Sequence, residues 1–282
     1  MENGQDLPSF LAENIRTFIL DIDSTIYPEQ IGLHPRIKDY IAADANRKDE
    51  LAGLRQEWTE KGFIRDGRVL ANQLTHIYPF LVHYYRLRGP EALTQYFDAV
   101  YNVDYSVLSP QPELVSAVRT LRDRGCRFAI FTNGPWRGTD GRPLHAQIVL
   151  SRLGFPDDAF VEDDVVDIMK TDRRPELLDL FGFPPSRAGD VFKKPDPDAF
   201  GRVLKTLRID PAQGDTAFFD DNADAVNAAA PFGIARVHVL SNNLQIDDAA
   251  AWKKRDFAVW CDRPESEPYP LGLLLRHTAN VL

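Results

Sequence analysis

Two aspartates two residues apart, Asp21 and Asp23, stand at the end of a short apolar run, TFILDI at 17–22. In an extended segment, side chains two apart project to the same side. Both carboxylates then share one side of a strand's carboxyl end, the place where ligands bind in open α/β sheets. Like charges this close are costly unless a cation neutralises them, and oxygen ligands of this kind suit Mg²⁺. A second apolar run ends in Phe131-Thr132-Asn133-Gly134, where a hydroxyl, an amide and a glycine-linked backbone suit phosphate oxygens. Lys193-Lys194-Pro195-Asp196-Pro197 puts a lysine before a proline-started helix, a point charge to set beside a phosphate. Phe218-Phe219-Asp220-Asp221-Asn222, with Asp224 close behind, again delivers paired carboxylates from an apolar run. Each motif alone has a plainer explanation: a loop Asp pair, a turn, a solvated lysine pair, a helix cap. Four of them at strand ends in one chain point to a single site.

The elements that must carry these residues follow from periodicity. Apolar runs at 17–22, 127–131, 216–219 and 235–240 predict buried strands of a parallel sheet. Between them PELVSAVRTLRDRG (112–125), PLHAQIVLSRLG (143–154) and PDAFGRVLKTLRI (197–209) carry proline early and apolar residues at helical spacing. Strands alternating with helices predict an α/β fold, a doubly wound, mainly parallel sheet with a Rossmann-like core. From about Pro35 to Leu108 the alternation breaks. That stretch has helical patterns and no convincing strand, and predicts an all-helical insertion after the first strand. The expected organisation is a core of 1–34 and 109–240, an inserted unit at 35–108, and a C-terminal extension at 241–282, packed on the core or at an interface.

The 282 residues carry 42 acidic against 33 basic side chains, a formal net charge of −9. That excludes a binder of nucleic-acid polymers, which needs a basic face, while a local cluster of cations can still hold a phosphate ester. The two cysteines, Cys126 and Cys261, form neither a metal cluster nor a disulfide framework, so a cytoplasmic location is expected. The first residues lack the basic-then-apolar order of a signal peptide. No apolar run approaches the roughly 20 residues of a membrane span, so no membrane partner is expected.

In this order the motifs resemble those of the haloacid dehalogenase superfamily. DIDST matches its first motif, Thr132 its second, Lys194 before Pro195 its third, and Asp220-Asp221 its acidic fourth, over about residues 15–240. The helical insertion is similar to that superfamily's cap. DIDSTIYP, FTNGP and KPDPDAF with FFDDN are further similar to its pyrimidine 5′-nucleotidase branch. The resemblance implies a Mg²⁺-dependent phosphatase. Asp21 would attack phosphorus to form an aspartyl-phosphate. Asp23 would protonate the leaving oxygen and then activate water. Thr132, Asn133, Gly134 and Lys194 would hold the phosphoryl oxygens. Asp21, the Asp23 carbonyl, and Asp220 or Asp221 would ligate the metal, and Thr25 would support the loop. The dehalogenase branch lacks the second aspartate, so Asp23 favours phosphoryl transfer. The implied substrate is a small phosphate ester, first a pyrimidine nucleoside 5′-monophosphate. Another such ester (a sugar phosphate, a lysophospholipid or a pathway intermediate) and a non-catalytic phosphometabolite binder are the competing expectations.

Ser24 stands where that branch more often has Asn or Gly, and little effect is expected. The 134–143 loop is longer than usual; its Trp136 and Arg137 either stack on a base and contact a phosphate, or decorate the surface. His76, His83, Tyr84 and Tyr85 are expected to pack rather than bind, as are Trp252 and Trp260. Cys126 reads as a small buried hydrophobe, and EDDVVD at 162–167 as a solvated acidic loop. The apolar LGLLL of the tail is the one feature suggesting a homo-oligomer.

Overall fold

The run ahead of Asp21 forms strand β1, whose Phe18, Ile19 and Leu20 are apolar because both of its faces are covered. A computed structural model describes residues 7–60, 64–65, 68–69, 81–82, 85, 88–167, 194–195, 197–240, 256–260 and 270–281. The elements in chain order are α1 (Leu7–Asn14), β1 (Thr17–Leu20), α2 (Ile37–Ala42), α3 (Ala45–Glu60), β2 (Ile64–Arg65), β3 (Arg68–Val69), α4 (Pro90–Val100) and α5 (Pro112–Asp123). They continue with β4 (Arg127–Phe131), α6 (His145–Arg152), β5 (Val165–Val166), α7 (Pro197–Thr206), β6 (Thr216–Asp220), α8 (Ala223–Ala228), β7 (Ala235–Leu240), β8 (Asp256–Trp260) and α9 (Pro270–Val281). Six strands form one sheet in the order β5-β4-β1-β6-β7-β8, all pairings parallel.

Alternation along the strands sorts the core into two layers. Phe18, Leu20, Phe128, Ile130, Ala217, Phe219 and Val237 face one side. Ile19, Ala129, Phe131, Val166 and Phe218 face the other. The first side is covered by α1, α5, α6 and α9, and Phe18 there stacks on Phe128 with ring centroids 4.8 Å apart. The second is covered by α7 and α8 through Phe200, Val203, Leu204, Ala225 and Val226. Each such Phe, Leu, Ile or Val side chain contributes about 1.5–3 kcal/mol when fully buried. The helices start where proline allows: Pro90, Pro112 and Pro197 each open one. Gly125, at φ 87°, turns the chain out of α5 toward β4.

The expected α/β parallel sheet is present, and it is wider than the apolar runs alone suggested. EDDVVD is not a solvated loop throughout. Glu162–Asp164 make a turn of 3₁₀ helix, and Val165-Val166 are buried as edge strand β5. Two valines among acids are too short a run to stand out. β8, which contains Trp260, adds a strand from the tail, paired with β7 from Arg236↔Asp256 onward.

The segment between β1 and α5 is mainly helical, but the expectation of an all-helical insertion fails at one point. β2 and β3 pair antiparallel, Ile64 against Val69. The residues between them in sequence, Asp66-Gly67, are a pair favoured in two-residue hairpin connections. Tyr85 stacks on Tyr96 at 4.7 Å and shares a 2.9 Å hydroxyl bond with Tyr40, so it packs as expected. His76, His83, Tyr84 and Trp252 lie outside the described residues. Cys126 is buried among apolar side chains.

The tail ends in α9, which lies against α1 and α5. Leu271, Leu274 and Leu275 are buried in this chain's own core, so they offer no apolar surface to a second copy. Arg124 donates to the Ala279 carbonyl at 2.7 Å and Arg276 pairs with Glu113 at 2.8 Å. Among the described residues no helix is long and apolar enough to cross a membrane.

If α9 is part of the core, Leu275→Ala should lower unfolding stability by about 2–5 kcal/mol. Val281→Ala, at a position 48% exposed, should change it little. Urea titration of both variants checks this, and a loss below about 1 kcal/mol at Leu275 would make α9 a peripheral appendage.

Candidate active site

The carboxyl ends of β1, β4 and β6 meet at the centre of the sheet, where the chain switches from building one side to building the other. Asp21 continues β1 by one ladder bond, its N–H donating to the Phe219 carbonyl at 2.9 Å. The chain then turns, with Ile26 N–H donating to Ile22 O at 3.1 Å. That single turn brings residues four apart together. Thr25 Oγ1 lies 3.1 Å from Asp21 Oδ2, and Tyr27 donates its hydroxyl to Asp23 Oδ1 at 2.6 Å. Ser24, inside the turn, has φ 59°. A left-handed backbone is what Asn and Gly adopt most readily, so serine holds it at some cost.

β6 delivers Asp220 and Asp221 to the same place. Thr25 ties the two strand ends, its Oγ1 3.3 Å from Asp221 Oδ1 while accepting the Asp221 N–H at 2.9 Å. One carboxylate oxygen from each of Asp21, Asp220 and Asp221 lies within 4.8 Å of the other two. Lys194 sits among them, buried, donating from Nζ to Asp21 Oδ1 and, at 2.6 Å, to Asp220 Oδ2. Asp220 Oδ1 also accepts the Asn222 N–H at 2.8 Å, and Asn222 caps α8. Asp224 lies exposed beyond the cluster, and Lys193 lies outside the described residues.

Electrostatics follow from this crowding. Burial raises the Asp21 carboxyl well above its ordinary value; Lys194 opposes the shift, and the neighbouring carboxylates reinforce it. Burial and Asp220 together push Asp221 up to about 7. For Lys194, burial disfavours the charge, but Asp21 and Asp220 more than offset it and keep the ammonium firmly protonated. Asp23 moves the opposite way. Burial would raise it, yet the charge and hydrogen bond of His145 and the hydrogen bond of Tyr27 bring it below the ordinary carboxylate value.

β4 contributes Thr132, fully buried, whose Oγ1 accepts the Gly134 N–H at 2.9 Å. Asn133 bonds the backbone of Lys194. Its Nδ2 donates to the Lys194 carbonyl at 3.2 Å and its Oδ1 accepts the Lys194 N–H at 3.1 Å, so it clamps the lysine's backbone. Trp136 is not available to stack on a base: it is 4% exposed, belongs to the core, and donates its N–H to Asp167 at 2.8 Å. Arg137 Nε bonds Gln147 at 2.9 Å.

Two groups at the site carry no motif. His145, at the start of α6, places Nε2 2.6 Å from Asp23 Oδ1. Tyr105 lies 2.9 Å from its Nδ1. The only sequence signal was their type, a buried-helix histidine and a loop tyrosine.

The chain was also compared with known proteins. No match was found among curated proteins. The model of the haloacid dehalogenase-like hydrolases matches residues 15–233. This chain belongs to that family. Solved structures it resembles include CbbY from Rhodobacter sphaeroides in complex with phosphate, at 16% identity over 86% of this chain and 93% of that one, TM-score 0.47. A hydrolase from Pseudomonas syringae is 16% identical over 87% and 93%, TM-score 0.46. The defluorinating L-2-haloacid dehalogenase Rha0230 is 17% identical over 93% and 96%, TM-score 0.43.

A family member of this kind generally uses Mg²⁺, and the residues fit one: three converging carboxylates form a hard oxygen set whose mutual repulsion a divalent cation relieves. The sign of the pH dependence follows from Asp221. Its folded value near 7 exceeds its ordinary 3.8, so the stability it contributes is full below 3.8 and is lost as pH rises through 7. A cation takes the proton's place and binds best once that proton has left. Mg²⁺ should therefore raise Tm more at about pH 8 than at about pH 5.5. Differential scanning fluorimetry checks this; an equal or larger rise at the lower pH would exclude Asp221 as a ligand.

Proposed function

We propose that this member of the haloacid dehalogenase-like hydrolases is a Mg²⁺-dependent phosphomonoester hydrolase. The observation that carries the proposal is the pairing of Asp21 with a second carboxyl, Asp23, that stands apart from the three-carboxylate cluster and is bonded by Tyr27 and His145. A carboxylate held away from the cation set is free for proton transfer, which an alkoxide leaving group requires and a halide does not.

In the first step Asp21 attacks phosphorus, the bond to the leaving oxygen breaks, and that oxygen takes a proton from Asp23. The charge of the arriving phosphate favours the protonated form of Asp23. In the second, a water loses its proton to Asp23 and displaces phosphate from the aspartyl-phosphate, regenerating Asp21. Lys194, Thr132 and the Gly134 N–H would offset charge on the transferring group. Thr25 orients Asp21, and Asn133 holds Lys194. A Mg²⁺ on Asp21, the Asp23 carbonyl, and Asp220 or Asp221 would offset repulsion between the nucleophile and the phosphate.

The substrate class is a small phosphorylated metabolite, with a pyrimidine nucleoside 5′-monophosphate first; the support for that choice is DIDSTIYP, FTNGP and KPDPDAF. The helical segment after β1 is proposed to act as the cap restricting access.

Phosphate release from a panel of phosphate esters with Mg²⁺ tests this, alongside halide release from 2-haloacids. The wild type should release phosphate and no halide. Asp21→Asn should lose at least about a thousandfold in kcat/KM, and Asp23→Asn about 10²–10⁴-fold on an alkyl ester. Undiminished turnover by Asp21→Asn overturns the nucleophile assignment, and a nucleotide ranking last overturns the substrate.

A further inference from the structure

We propose that His145 is a positioning residue for Asp23: it fixes Oδ1 so that Oδ2 is the oxygen that exchanges the proton with the substrate. This rests on the phosphatase assignment above. His145 is 1% exposed, its ring stacks on Tyr101 at a centroid distance of 4.1 Å, and both ring nitrogens have polar partners. A carboxylate only accepts, so with Asp23 ionised the hydrogen lies on Nε2. Tyr105 then either donates to Nδ1 or, when the ring is protonated, accepts from it and donates to the Tyr101 carbonyl 3.2 Å away. In both arrangements Nε2–H points at Asp23.

The two oxygens of Asp23 are thereby made unlike. Oδ1 accepts from Tyr27 and faces Nε2 of His145, both at 2.6 Å. Oδ2 has no hydrogen-bond partner among the described residues. It lies over Gly134: a Cβ built there would sit 3.3 Å from Asp23 Oδ2, 3.3 Å from His145 Cδ2 and 3.4 Å from Thr132 Oγ1. The free oxygen therefore faces the Thr132-Gly134 side, where the phosphoryl group is to be held. His145 and Gly134 act together, the histidine turning the carboxyl and the glycine leaving room for it. Tyr27 alone supplies one bond to Oδ1, and rotation of the carboxyl about χ2 would remain open; a second donor from a different element closes that freedom.

Leaving-group dependence separates this role from a structural one. kcat/KM reports phosphoryl transfer to Asp21, during which an alkoxide needs the proton and 4-nitrophenolate does not. His145→Ala should lose about 10²-fold on an alkyl phosphate and only a few-fold on 4-nitrophenyl phosphate. The ratio within one variant is independent of the folded fraction. His145→Gln, whose amide can donate to Oδ1, should recover most of the loss. Equal losses on both esters, or an undiminished rate on the alkyl ester, would overturn the proposal. A readout free of turnover uses ¹⁵N-labelled histidine: Asp23→Ala should shift the Nε2 resonance of His145, whereas Asp224→Ala should not. An unmoved resonance overturns the contact itself. Wild-type protein inactive on both esters would instead overturn the phosphatase assignment, whatever the resonance does.

Discussion

The buried ammonium of Lys194 is the contact on which the site depends. It bonds Asp21 and Asp220, both almost fully buried, at the meeting point of two strands. Without it, three carboxylates would converge with no positive group among them, and the cost of burying unpaired charge would fall on the ends of β1 and β6. Even with it, burial raises the Asp21 and Asp221 carboxyls, and the neighbouring acidic groups reinforce the shift. That surplus of acidic groups is what a divalent cation would offset.

The rest of the molecule can be understood as what keeps that ammonium in place. Asn133 grips the lysine's main chain at both its N–H and its carbonyl. Its own position is set by β4, whose Phe131 and Ile130 are buried on opposite faces of the sheet. Asp167, just past β5, holds the Trp136 N–H and so anchors the loop that follows Asn133. Positioning side chains thus stand on the ends of buried parallel strands, and precision at the site is inherited from the core.

Much of this was visible in the sequence, because parallel strands buried on both faces give unbroken apolar runs and the polar residues stand at their ends. Asp21, Asp23, Thr132, Asp220 and Asp221 could be read off in that way, and Lys194 from its place before a proline-started helix. What was hidden depends on proximity rather than pattern. His145 is brought to Asp23 from another element, and nothing in PLHAQIVL marks it. β5 has only two apolar residues, and β8 lies in a tail whose neighbouring composition is polar. Trp136 was misjudged because a Gly- and Pro-rich loop suggests exposure, while an aromatic side chain of that size gains more by burial.

The parallel sheet also sets when in the life of the chain the site can exist. Lys194 lies 173 residues after Asp21, His145 122 after Asp23, and Asp221 196 after Thr25. Closing such long loops is entropically costly and comes only with the sheet that rewards it. Synthesis runs from the amino end, so Asp21 leaves the ribosome long before its lysine is made. A partly made chain holds Asp21 without the ammonium against which it is buried. Assembly of the centre is therefore tied to completion of β6, and no shorter product of translation presents it.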